Sequence, residues 1–87
     1  MRLSGRDCDK ISLHCHAMAV HFFPMFLNPK NRGPNFTWEG FPELLAGFCE
    51  TQAFLNCTNK RKRKAYEKHG YETGKSIGEQ MVKEAGL

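Results

Sequence analysis

The sequence predicts an all-α fold: an antiparallel helical hairpin stapled by disulfides, with a long aromatic connector and an extended C-terminal tail. Three observations predict it. The four cysteines fall in two pairs, Cys8 with Cys15 and Cys49 with Cys57, seven and eight residues apart. Those steps rise about 10.5 and 12 Å along an α-helix. Apolar residues recur with helical period around both pairs. Between them, residues 24–40 carry Pro24, Pro29, Gly33, Pro34 and Gly40, which break regular structure. Two antiparallel helices could therefore join Cys8 to Cys57 and Cys15 to Cys49, with rungs mismatched by about 1.5 Å.

The first helix is expected over residues 7–23. Asp7 or Ser4 can cap it, and Asp9 suits the positive end of the dipole. Cys8, Ile11, Cys15, Met18 and Phe22 fall at steps of three and four and form one apolar stripe. Pro24 is expected to end or kink this helix. The second helix is expected over 41–69, with Pro42 and Glu43 in its first turn. Phe41, Leu44, Leu45, Phe48, Gln52 and Leu55 define one face, and Cys49, Ala53 and Cys57 follow its flank. A step of eight rotates a side chain by about 80°, so Cys49 and Cys57 are not perfectly aligned. Gly47 is a mild defect and Gly70 a natural C-cap. Residues 1–70 thus form the hairpin, and 71–87 a polar tail in which Gly74, Gly78 and Gly86 weaken any short helix from Lys75 to Glu84.

A chain of 87 residues is one small domain with a marginal core, for which staples or a larger host are useful. The net charge is +4, and Lys60, Arg61, Lys62, Arg63 and Lys64 exceed that whole excess. Such a run attracts phosphates, anionic lipid or acidic protein surfaces. The opening residues are basic but run into Asp7, Cys8 and Asp9, not into the apolar stretch of a secretory signal. Without such a signal, the sequons at Asn35 and Asn56 carry little meaning. The most apolar stretch, Ala17 to Leu27, is short and interrupted by His21 and Pro24, whereas a membrane span needs about 20 residues.

Paired cysteines can form disulfides, in any of three connectivities, or can pack as four buried thiols. His14, Cys15, His16 and His21, with Cys8, Cys49 and Cys57, offer enough donors for tetrahedral zinc, but without the short knuckle spacing. Gly70 to Ser76 has three residues between its glycines and no preceding strand, so it is not a phosphate loop. A nucleophilic Cys15 beside a histidine is disfavoured, because burial on an apolar stripe raises a thiol's pKa. No catalytic arrangement, substrate or cofactor is expected. Phe23, Phe26, Phe36 and Trp38 are too many aromatics for a free loop; the connector is expected to pack on the hairpin or on a neighbouring protein, and these four residues, with the run Lys60 to Lys64, are the expected partner-binding set.

The stretch from Cys49 to Lys62, with its paired cysteines and basic continuation, resembles the second helix of the twin-cysteine coiled-coil-helix–coiled-coil-helix (CHCH) proteins. The cysteine spacing is shorter than that family's. The resemblance implies a non-catalytic accessory subunit of a mitochondrial respiratory-chain complex, in the intermembrane space or peripheral to the inner membrane. It would brace larger protein subunits, with anionic lipid or RNA contact through residues 60–64. The alternatives are an RNA-binding subunit of an organellar ribosome, favoured by the basic run, and a small zinc-binding module.

Overall fold

A computed structural model describes residues 2–87, and every regular element in them is helical. Helix α1 spans Gly5–Leu27, α2 spans Phe41–Asn56 and α3 spans Arg63–Glu84, with 3₁₀ turns at Pro29–Asn31 and Lys60–Lys62. The start of α1 meets the start of α3, through Asp7 with Lys62 and Tyr66. The end of α2 meets the start of α1, through Lys10 with the Asn56 carbonyl. Thus α1 and α3 run parallel, and α2 runs antiparallel to both.

Ser4 and Asp7 form a reciprocal capping box on α1. The helix then continues through Pro24 to Leu27, past its expected end. Proline costs an interior helix about 3 kcal/mol or more. Two anchors beyond it offset that cost. Phe26 is buried among aromatic rings, and the Arg32 guanidinium donates to the carbonyls of Phe26 (2.6 Å) and Leu27 (3.1 Å), capping the helix end.

The expected second helix is in fact two. Cys57 leaves α2 in an extended conformation, and the Asn59 side chain accepts from the Arg61 amide (3.0 Å) to start a 3₁₀ turn. The expected tail is the body of α3, closed by Gly86 at φ 71° and a Leu87 amide bond to the Val82 carbonyl (3.0 Å). The fold is therefore a three-helix arrangement, not a two-helix hairpin with a tail.

Gly70 is no C-cap. Gly70, Gly74 and Gly78 recur at steps of four along α3 and are all buried against α2. A Cβ on Gly70 would lie 2.8 Å from the Ala53 Cβ, one on Gly74 2.7 Å from the Cys49 Sγ, and one on Gly78 2.7 Å from the Pro42 Cα. The absent side chains let two backbones approach closely, as small residues four apart do in other tight helix pairs. Because α3 covers that side of α2, the buried line is Leu45, Ala46, Cys49, Ala53 and Cys57. Of the expected face, Phe41 and Leu45 are buried, whereas Leu44 is 38% exposed and Leu55 68%.

Candidate functional site

The expected pairing of Cys8 with Cys57 and Cys15 with Cys49 is not formed in this structure. Cys15, Cys49 and Cys57 are buried and Cys8 is half-buried; all four are thiols, with no disulfide formed. Cys15 and Cys49 lie in the same buried core where α1 meets α2, close enough for each thiol to perturb the other. The neighbouring Cys15 thiol pushes Cys49 up, with burial adding to it, and Cys49 pulls Cys15 down against its own burial. The Cys15 Sγ also lies 3.7 Å from the Gly70 carbonyl of α3, so this pair sits where all three helices meet. Cys57 donates to the Asn59 carbonyl (3.2 Å). Cys8 and Cys57 both lie within electrostatic reach of the Tyr66 hydroxyl.

That hydroxyl belongs to a polar cluster that joins the starts of α1 and α3. Tyr66 donates to Asp7 Oδ1 (2.6 Å), while Asp7 Oδ2 accepts from the Ser4 amide and from Lys62 Nζ, each at 2.9 Å. Tyr66, the Ser4 amide and Lys62, in that order, hold the Asp7 carboxyl well below the usual carboxylate range. The same hydrogen bond, with burial, pushes Tyr66 up to about 12. Sequence reasoning assigned Tyr66 no role. The usable signal was its place one helical turn before Gly70, Gly74 and Gly78 on a single face.

The connector aromatics pack inward. Phe26 stacks on Phe36 at 4.9 Å, Phe36 meets Trp38 edge-on at 5.0 Å, and Phe23 contacts both Trp38 (5.5 Å) and Phe41 (5.8 Å). The Arg32 guanidinium covers Phe36 and Trp38 at 5.8 and 5.3 Å. Phe26 is 9% exposed, and Phe23, Phe36 and Trp38 are half-buried. The rings thus pack on one another within the chain, while Phe23, Phe36 and Trp38 keep part of their surface open. More exposed apolar side chains lie elsewhere, at Leu13 and Val20 on α1 (each 69%) and at Leu55 on α2.

The basic run does not end a helix, as expected, but begins one. Lys60–Lys62 form the 3₁₀ turn and Arg63 opens α3, at the dipole end that disfavours cations. Lys62 is paired with Asp7, and Arg63 lies 5.3 Å over the Phe54 ring. Lys60, Arg61 and Lys64 are exposed.

The histidines disperse: His14 faces Asn56 Nδ2 at 3.5 Å, and His16 bonds within its own turn to the Ser12 carbonyl. Among the described residues, no three His, Cys, Asp or Glu side chains converge on a point where a metal ion could bind. No helix among them is long and apolar enough to cross a membrane. No family model matches the chain, and neither curated proteins nor solved structures do.

Proposed function

We propose that the chain is a non-catalytic accessory subunit of a mitochondrial respiratory-chain complex, a disulfide-stapled brace on the intermembrane-space side of the inner membrane. The observation that supports this reading is the burial of Cys15, Cys49 and Cys57 in one core shared by antiparallel α1 and α2, with Cys8 half-buried at the start of α1. Antiparallel helices permit nested pairing, Cys15 with Cys49 and Cys8 with Cys57. Oxidation joins Sγ to Sγ within each pair and releases two protons and two electrons per bond to the oxidant of the compartment. Each linkage closes a loop long enough to contribute roughly 3–4 kcal/mol in the chain-entropy model. The twin-cysteine resemblance ties such linkages, in a small helical chain, to the intermembrane space.

Two further observations favour a supporting part over a free-standing one. The chain exposes 5920 Å², against roughly 5200 Å² for a compact monomer of its mass. Part of the excess is apolar: a groove lined by Val20, Ile77 and Met81 runs between α1 and α3, with Leu13 further along α1. Apolar surface of this kind marks protein contacts. The competing reading, an RNA-binding subunit of an organellar ribosome, draws on the exposed Lys60, Arg61 and Lys64.

Separation of native membrane complexes and ribosomes from the source mitochondria tests the choice. The endogenous chain is expected to migrate with a respiratory complex and to become protease-sensitive once the outer membrane is opened. Migration with ribosomal particles, or protection until the inner membrane is lysed, contradicts the proposal.

A further inference from the structure

Folding collects charge that the sequence distributes over two segments. The contacts of Asp7 with Lys62 and of Lys10 with Asn56 bring the start of α1, the end of α2 and the start of α3 to one end of the molecule. Residues 2–10 and 50–68 hold nine of the thirteen Lys and Arg but only four of the nine Asp and Glu. The remainder of the chain carries a small negative excess. Two parallel helices also begin here, so their positive dipole ends reinforce the cations. Asp7 answers the first of these ends, whereas α3 has no acidic residue in its first turn and no side-chain cap. The ion pair of Asp7 with Lys62 is the one salt bridge among the described residues. Arg2, Arg6, Lys60, Arg61 and Lys64 are left exposed without a carboxylate. Like charge is thus concentrated at a cost to the isolated chain, which an anionic surface would relieve.

The second component is apolar and adjacent. The last turn of α2, at the same end, presents Leu55 at 68% and Phe54 at 41% exposure. We infer that this end is a docking surface for an anionic membrane, with the cations meeting lipid headgroups and Leu55 and Phe54 entering the interface. Peripheral membrane binding combines these two elements, buried apolar area and cation attraction. RNA fits less well. Single strands are held by stacking on open aromatic faces. The exposed ring at this end, Phe54, already carries the Arg63 guanidinium at 5.3 Å. Phosphate contacts alone would have no use for Leu55. The inference deepens the accessory-subunit reading by naming what that subunit faces. It rests on charge and exposure, so it can fail while the cysteine linkages stand.

The test is co-sedimentation of the full chain with vesicles of phosphatidylcholine, alone or mixed with one-third phosphatidylglycerol, beside a gel-shift titration with single-stranded RNA at the same salt. Binding to the anionic vesicles alone is expected. Each cation near an anionic surface contributes roughly fivefold, so the triple variant Lys60→Gln, Arg61→Gln, Lys64→Gln is expected to lose on the order of 100-fold. Leu55→Ser, at an exposed position, is expected to weaken vesicle binding several-fold while leaving the helical circular dichroism unchanged. The inference is overturned by equal binding to both vesicle types, by indifference to either variant, or by tighter binding to RNA than to the anionic vesicles.

Discussion

The two sides of α2 are built on opposite principles. Toward α3 the contact is a close seam, with Gly70 and Gly74 against Ala46, Cys49 and Ala53 and Gly78 against Pro42, where backbones touch. Toward the end of α1 it is a cluster of rings, where Phe22 stacks on Phe48 at 4.3 Å and Phe26, Phe23 and Trp38 surround Phe41. The first contact is stabilised by dispersion between close backbones, the second by buried apolar area. The difference teaches that glycine, costly as a helix former, can be the residue that makes a helix pair possible.

That contrast can be broken from either side. Phe41→Ala removes a ring that is 1% exposed and leaves a cavity among its neighbours, an expected loss of about 3–5 kcal/mol in denaturant unfolding. Gly74→Ala adds one methyl where the nearest atoms lie at 2.7 and 2.8 Å. Overpacking of about 1–3 kcal/mol is expected to outweigh the gain in helix propensity. If Gly74→Ala proved stabilising, the seam would not be tight.

The polar cluster at the starts of α1 and α3 is tested by pH. Asp7 has a lowered pKa in the fold, so its contribution is present above the ordinary carboxylate value and is lost as pH falls toward the folded one. Tyr66→Phe removes the first cause of that lowering. The variant is expected to be less stable at neutral pH, with the gap to the parent narrowing on acidification below about pH 4. Tyr66 itself works in the other direction. Its raised pKa makes the neutral phenol the stabilising form, held below the ordinary tyrosine value and lost as pH rises through about 12. A gap that stayed constant with pH would mean that the hydrogen bond does not couple the two groups.

The smallest effect sharpens the comparison. Gly47 is also helical, but a Cβ there meets nothing within 4 Å. Gly47→Ala is expected to stabilise the chain by up to about 1 kcal/mol. Opposite signs at Gly47 and Gly74 in thermal melts would separate glycine as a defect from glycine as a contact.

Where local chemistry marks a boundary, the sequence was readable. Ser4 and Asp7 announce α1, Pro42 and Glu43 announce α2, and the stripe of Ile11 and Cys15 is buried as its spacing predicts. The break after Asn56 was not readable, because no proline or glycine interrupts residues 48–69 and the turn is made by one asparagine side chain. The parallel placement of α3 was hidden for a different reason. Its evidence is the absence of side chains at steps of four, which resembles weakness until a partner helix is known. Of the candidate site, the burial of Cys15 and Cys49 was legible from their places on apolar stripes. The Asp7–Tyr66 bond joins residues 59 positions apart and left no local trace.

The most direct test of the account is peptide mapping by mass spectrometry of the non-reduced protein, blocked with an alkylating agent at the moment its compartment is opened. Linked peptides pairing Cys8 with Cys57 and Cys15 with Cys49 are the expected result. Four alkylated cysteines, or linkage of Cys8 to Cys49, would contradict it.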